Sequence, residues 1–402
     1  MDKRGHADFF RVKQKLKQEV NVAVSKKQKE FDWVKAFFKK GGHPQLLQTY
    51  QNSIQIALQR ELEAWADEVC GPKGKPKGSL RRNGYYPRRL LTVAGWVELK
   101  VPRFRGGKAP PPPIFNPYQR HAVEMMMLWI ALFSLNLSCR NISKVLATVF
   151  GASVSFQTVY RWVKKAHKFT EKAVAGDICE DYFAVILDGV YGRVRDSEAP
   201  GKGVLLASMG VKHDGDVSLL GVTPALTESP DSWAEHLQSL INRGLKPESV
   251  RIVTTDNHIA FSKTIPKFFA SAAHQPCIFH TSMDVTAKVP MAHRNKAKKL
   301  LSRLWSAKTP RSYWGVLGKI NSSPEFNERA LRCLHRYSER AIAYFEVPES
   351  LVKKVRTTNQ IELLFRSFRS RTRKLRGWQT FESLKGMLIL TADSKGILKE
   401  YT

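Results

Sequence analysis

The chain has 402 residues, with 66 Lys+Arg against 35 Asp+Glu and a formal net charge of +31. That length is too great for one compact core and predicts about two to four domains, and a charge this large calls for a polyanionic partner, nucleic acid before any other. Apolar residues at 43% and aromatics at 10% exclude wholesale disorder, and five scattered cysteines exclude a disulfide scaffold and fit a reducing, intracellular setting.

The opening Met1-Asp2-Lys3-Arg4 is polar, which predicts no signal peptide. Residues 8–70 mix charge with apolar stripes, Val34, Phe37 and Phe38, then Leu47, Tyr50, Ile54 and Leu58. They predict an N-terminal helical region, 1–70. The second region, 71–115, opens on a Gly/Pro/Lys-rich linker. Two alternating runs follow, 88–93 and 96–101, joined by Ala94-Gly95, and predict a basic β-hairpin. Pro110 to Pro113 form a stiff spacer that closes it.

Residues 116–175 return to helical spacing. Ile142, Val145, Leu146 and Val149 fall at i, i+3, i+4 and i+7, and Gly151 follows. After Ser155, the residues Val159, Trp162, Val163 and Ala166 repeat the spacing, while Gln157, Arg161, Lys164 and Lys168 share the outer face. Helix, glycine-containing turn and basic-faced helix predict a DNA-binding helix-turn-helix, with a plain helical hairpin as the alternative. The longest apolar run, 125–133, is far short of the ~20 residues a membrane span requires.

From 182 the pattern changes to strands, at 182–187, 204–211 and 217–222, the last two separated by His213-Asp214-Gly215. A helix at 232–241, a strand at 251–255, a helix at 257–269 and a short apolar piece at 277–280 complete an α/β region, 176–284. Residues 285–350 show only helical spacing. The final region, 351–402, carries helices near 359–375 and 381–392. There is no internal repeat.

Charge is unevenly distributed. Residues 71–108 hold 11 Lys/Arg and one acid, Glu98, and residues 353–376 hold nine Lys/Arg and one acid, Glu362. Residues 180–260 reverse this, with 12 acids against seven bases. Basic flanks suit phosphates, and an acidic centre suits Mg²⁺, which prefers carboxylate oxygen; a solvated acidic surface is the alternative. Three acids stand out. Asp188 lies within or at the end of an apolar strand, where a carboxylate is costly, and Gly189 beside it permits close approach; an Asp-Gly turn is the alternative. Asp256 follows a strand, where ligands gather in open α/β sheets; helix N-capping is the alternative. Glu362 shares a helical face with Arg366, Arg369 and Arg373, opposite Ile361, Leu364, Phe365 and Phe368. A capping box with Asn359 or a salt bridge to Arg366 would also account for it.

At these residues the sequence resembles the Mutator-type transposases of prokaryotic insertion sequences, from about Arg81 to Leu390. The strongest segments are Arg82-Asn83-Gly84-Tyr85 with Leu99-Lys100-Val101-Pro102-Arg103, then Leu187-Asp188-Gly189-Val190-Tyr191 and Thr255-Asp256. Cys277-Ile278-Phe279-His280 and Arg356-Thr357-Thr358-Asn359-Gln360-Ile361-Glu362 follow. Order and spacing carry the match: 68 residues separate the aspartates and 106 lead on to the glutamate. The chain departs from the family at Asn257, where Gly is common, and at Leu363 and Phe365, where polar residues are usual.

The resemblance implies a ribonuclease H-like catalytic core with an all-helical insertion. It implies Asp188, Asp256 and Glu362 as a DDE triad that binds two Mg²⁺ or Mn²⁺ ions. Cys277 and His280 would be the family's Cys-x-x-His signature near the site, in a supporting or packing role, since a structural zinc requires four ligands. Water would attack a phosphodiester at the element's end and free a 3′-OH, which would then attack target DNA. Gln157, Arg161, Lys164, Lys168 and the N-terminal helices would read terminal inverted repeats. The hairpin, Arg356, Arg366, Arg369 and Arg373 would grip phosphates. Trp305 and Trp314 would stack on a displaced base or, alternatively, pack in a helical core. The expected partner is double-stranded DNA, bound by a homodimer or higher assembly in the cytoplasm, at the nucleoid, with no membrane. Alternatives are a non-catalytic DNA-binding regulator derived from a transposase, a ribonuclease H-like nuclease without strand transfer, and a basic RNA-binding structural protein.

Overall fold

The computed structural model describes residues 44–75, 77–115, 119–135, 137–195, 201–372, 378 and 380–398. The helical reading of 8–43 and the position of Arg373 lie outside them. Apart from residues 134–136, the chain divides at Val163/Lys164 into two compact units.

The first unit opens with α1 (Pro44–Cys70), β1 (Arg81–Thr92) and β2 (Gly95–Arg105). The strands pair antiparallel from Arg81 with Arg105 to Thr92 with Gly95. The turn is therefore Val93-Ala94, one residue earlier than expected, and Gly95 closes it at φ 99°, a conformation that suits glycine. Helix α1 covers β2 in two ways. Leu62, Trp65 and Ala66 pack on Leu90, Val97, Leu99 and Val101. Three glutamines one turn apart then bond the strand's outward carbonyls. Gln51 donates to Trp96 O, Gln55 to Glu98 O at 2.8 Å and Gln59 to Lys100 O at 2.9 Å. Gln59 also accepts from Lys100 N at 2.9 Å. Four helical residues rise ~6 Å and two strand residues ~6.6 Å, so the two repeats stay in step. The arrangement seals a sheet edge that would otherwise be open.

Three helices follow: α2 (Val123–Ser134), α3 (Cys139–Val149) and α4 (Phe156–Ala175). Ser138 caps α3 by accepting from Asn141 N, Gly151 turns the chain at φ 60°, and Ser155 Oγ accepts from Thr158 N at 3.2 Å to open α4. Ile142, Leu146, Val159 and Val163 are buried. Gln157, Arg161, Lys164 and Lys168 are exposed along α4.

The second unit is built on one sheet. Its strands are β3 (Ala184–Val194), β4 (Gly201–Val211), β5 (Val217–Ala225), β6 (Ile252–Thr255) and β7 (Ala273–Pro276), with α5 (Pro230–Asn242) and α6 (Ile259–Phe268) between them. The strand order is β5-β4-β3-β6-β7. The pairs β3–β4 and β4–β5 are antiparallel, and β3–β6 and β6–β7 are parallel. Strand alternation sends Val185 and Leu187 into a core with Trp233, Leu237 and Phe261 of α5 and α6. The opposite face, with Ile186 and Asp188, meets α12 (Asn359–Thr372) and α13 (Phe381–Asp393).

Between β7 and α12 the chain is helical: α7 (Ile278–Lys288), α8 (Arg294–Trp305), α9 (Pro310–Asn321), α10 (Glu328–Ser338), a 3-10 segment (Arg340–Glu346) and α11 (Glu349–Val355). These share a core of their own that includes Val285, Leu301, Leu304, Tyr313, Leu317 and Leu334. Trp305 belongs to that core, its indole N–H donating to Ser282 Oγ at 2.6 Å. Trp314 is 43% exposed. All five cysteines are free thiols. Among the described residues no helix is long and apolar enough to cross a membrane.

Two local features go beyond the sequence reading. The apolar piece 277–280 opens a helix: Cys277 is the N-cap of α7 and Ile278 begins it. The missed strand is β7, Ala-His-Gln-Pro, which has no alternation of its own. Its extended form comes from pairing with β6, Ile252 opposite Ala273 through Thr255 opposite Pro276.

Candidate active site

Leu187 and Thr255 are register partners where β3 and β6 run parallel. The next residues are Asp188, still within β3, and Asp256, just past the end of β6, so the two acids stand at neighbouring positions where the β3–β6 pairing ends. The Asp-Gly turn is ruled out for Asp188, because β3 runs through Asp188-Gly189 to Val194. Capping is ruled out for Asp256, because the N-cap of α6 is His258. Asp256 Oδ1 instead accepts from His258 N at 3.0 Å, closing a tight turn at the strand end.

Glu362 comes from α12. Ile361, Leu364, Phe365 and Phe368 are fully buried, which locks that helix onto the sheet. The Glu362 carboxylate turns back rather than toward Arg366. Thr358 Oγ donates to Glu362 Oε1 at 2.8 Å, and His280 Nε2 lies 3.8 Å from the same oxygen. Thr358 is itself buried, and its backbone N–H donates to Cys277 Sγ at 3.4 Å. Cys277 N donates to Thr255 O at 2.8 Å. A hydrogen-bonded chain thus runs from the end of β6 through Cys277 and Thr358 to Glu362. Asn257 joins β6 to α7, its Nδ2 donating to Asp284 Oδ2 at 2.7 Å.

The electrostatics show how crowded the site is. Burial, with the Asp256 charge next and Glu362 adding to it, pushes the Asp188 carboxyl well above the usual carboxylate range, against the Gly189 N–H and His280. The Gly189 N–H reaches Asp188 Oδ1 at 2.8 Å. Cys277 raises His280 to about 9, with burial opposing and Glu362 and Asp188 helping. Burial pushes the Cys277 thiol up, but hydrogen bonds from His280 and Thr358 outweigh it and hold the thiol below its ordinary range.

Converging carboxylates around a 9% exposed Asp188 are costly unless a cation joins them. The oxygen donors of Asp188, Asp256 and Glu362 are the type a hard divalent ion takes, so the residues fit Mg²⁺ or Mn²⁺. Donor atoms of Cys277, His280 and Glu362 also lie within 4.8 Å of one another. That is three groups, one short of a closed tetrahedral zinc site.

Basic residues stand beside the acids. A cleft of about 320 Å³ is lined by Phe279, Lys353, Arg356, Asn359, Glu362 and Arg366. Arg366 and Arg369 are exposed on α12, with Arg369 lying 5.9 Å from the centre of the Phe365 ring. Gln157, Arg161, Lys164 and Lys168 are carried by α4 and are not part of this lining.

Sequence reasoning passed over Thr358, Glu228 and Tyr191. Burial first, then Asp256, pushes the Glu228 carboxyl up. Burial first, then the Glu228 charge, raises the phenol of Tyr191 on β3. The only signal for these residues was proximity to Asp188 or Glu362, which sequence supplies for Tyr191 and Thr358 but not for Glu228.

Residues 23–395 match the model of the Mutator family of transposases. The transposase for insertion sequence element ISRM5 of Rhizobium meliloti (strain 1021) is 28% identical over 340 residues, 82% of this chain and 83% of that protein. The transposase for IS905 of Lactococcus lactis subsp. lactis (strain IL1403) is 24% identical over 345 residues, 85% of this chain and 86% of that protein. Among solved structures, the Drosophila P element transposase strand transfer complex is similar at 12% identity and a TM-score of 0.32, over 73% of this chain and 80% of that one, a likeness too slight to carry an argument. With a helical insertion between its second and third acids and a family match along nearly its whole length, the chain belongs to the Mutator family of transposases.

Proposed function

We propose that this transposase cuts and joins DNA at the ends of an insertion sequence by divalent-metal-dependent phosphoryl transfer, with Asp188, Asp256 and Glu362 as its catalytic triad. The observation that carries the reading is the convergence of these acids, 68 and 106 residues apart in sequence, on one sheet end beside a basic cleft. The sheet order β5-β4-β3-β6-β7, three antiparallel strands and two parallel ones, supports a ribonuclease H-like core. The helices from Ile278 to Val355 support an inserted helical domain.

Asp188, Asp256 and Glu362 would hold two Mg²⁺ or Mn²⁺ ions, which would supply activation of the attacking oxygen and charge neutralisation at the leaving one. Thr358 and His280 orient Glu362. Lys353, Arg356 and Arg366 hold the phosphate in the cleft, and Arg369 and Arg373 continue that grip along the strand. Water attacks phosphorus at the element's end, the P–O3′ bond breaks, and the 3′ oxygen leaves as a hydroxyl. That hydroxyl attacks a target phosphodiester, forming one P–O bond as another breaks, with no covalent protein–DNA intermediate. Gln157, Arg161, Lys164 and Lys168 on α4 read or hold the terminal repeats. A homodimer or larger assembly brings two ends together on DNA in the cytoplasm.

The test is strand cleavage of a duplex carrying the element's end. Asp188→Asn, Asp256→Asn and Glu362→Gln are each expected to lower Mg²⁺-dependent cleavage by roughly 10²-fold or more while DNA binding persists. Wild-type cleavage by all three would refute the triad. Binding without cleavage by the wild-type chain would favour a non-catalytic regulator, and cleavage without joining of precut 3′-OH ends a nuclease.

A further inference from the structure

Gly189 sits in the middle of β3, where glycine weakens a strand and marks a close approach. What approaches is Glu228. A methyl group on Gly189 would stand 2.7 Å from Glu228 Cδ and closer still to Oε1. Glu228 belongs to the loop after β5, two strands away in the sheet, so its carboxylate reaches β3 at the residue next to Asp188. Tyr191, two residues further along the same strand face, lies beside it: burial first, then the Glu228 charge, raises the Tyr191 phenol.

Nothing in the local structure requires an acid there. The N-cap of α5 is Ser229, which accepts from Ser232 N, and the acid in that helix's first turn is Asp231. The groups that act on Glu228 are Asp256, His258 and Tyr191, and none is a lysine or arginine. Among the described residues the half-buried Glu228 carboxylate forms no ion pair with an arginine or lysine; the Asp256 charge acts on it, with His258 opposing.

Resting on the active-site reading above, we propose that Glu228 is a fourth carboxylate of the cation site, next to Asp256, seated in the niche left by Gly189 with Tyr191 alongside. Glu228 acts on the cation directly or through its hydration shell, adding negative charge on the side of the site opposite Glu362. Oxygen donors of this kind are what Mg²⁺ and Mn²⁺ take.

The experiment is a Mn²⁺ titration of the full chain without DNA, following free Mn²⁺ by electron paramagnetic resonance, alongside strand cleavage as a function of Mn²⁺ concentration. Glu228→Gln is expected to weaken Mn²⁺ binding about tenfold or more and to shift the activating concentration equally, with cleavage largely restored at saturating metal. Tyr191→Phe, a change at a half-exposed side chain, is expected to weaken binding roughly two- to tenfold. It keeps the test open if Glu228→Gln does not fold. Unchanged Mn²⁺ binding and activation in both variants, with both lost in Asp188→Asn, would overturn the role of Glu228 and leave the triad standing. A wild-type chain that binds no Mn²⁺ and cleaves without metal would overturn both.

Discussion

Thr358 shows how a residue with no chemistry of its own can govern a carboxylate. It is buried, and its hydroxyl holds Glu362 Oε1 while its backbone N–H holds Cys277. Thr358→Val keeps the shape and removes the donor, so cleavage should fall roughly tenfold with little loss of melting temperature. Kinetics and a thermal melt on the same preparation check both halves. Each of the three acids had an ordinary alternative when taken alone, a turn, a cap or a salt bridge; it was the three together, with the family resemblance, that pointed to one place. Thr358 and Glu228 were not legible, because a threonine before a helix and a glutamate in a loop are ordinary in isolation. Their significance lies in what the fold sets against them, Glu362 in one case and Gly189 in the other.

At the scale of elements, the glutamine ladder between α1 and β2 is the least expected feature. The apolar stripe of α1 was legible at Ile54 and Leu58, which pack against the core that Leu62 and Trp65 fill, whereas Tyr50 of the same stripe is exposed. Gln51, Gln55 and Gln59 read as solvent-facing polar residues until the strand beneath them is known. The double change Gln55→Ala and Gln59→Ala removes three side-chain bonds to β2 and should destabilise that hairpin by about 1–3 kcal/mol, measurable by urea unfolding. Strand β7 was illegible for a related reason: its four residues are extended because β6 pairs with them, and Gln275 is held by the helical segment beyond, accepting from Tyr344 N at 3.1 Å. Helix α12 was legible in both faces, apolar and arginine-bearing. Phe365→Ala should cost about 3–5 kcal/mol, since its ring is fully buried between α12 and the sheet.

For the whole molecule, the net charge of +31 was the first and most durable signal. It makes DNA affinity a matter of ionic strength. Replacing Arg366 and Arg369 together by alanine should reduce the slope of log K against log salt by about 0.9 for each phosphate that the variant leaves unneutralised. Stability carries its own pH dependence. His236 is fully buried between Thr223 and Ser208, and burial, aided by Arg243, lowers its pKa to about 3. An unfolded histidine takes up its proton near pH 6.5, so the unfolded chain binds more protons between those values. The contribution is intact above about pH 6.5 and is lost at about 1.4 kcal/mol per pH unit as pH falls toward 3. Urea unfolding at pH 7 and pH 5 should show the loss, and His236→Gln should flatten it. The central claim concerns one place, and anomalous diffraction at the manganese edge from crystals of the protein with end DNA and Mn²⁺ tests it most directly. Manganese peaks among the carboxylates of Asp188, Asp256 and Glu362, next to a DNA phosphate, are the expected result. Manganese elsewhere on the protein, with those three side chains turned away from it, would contradict the account.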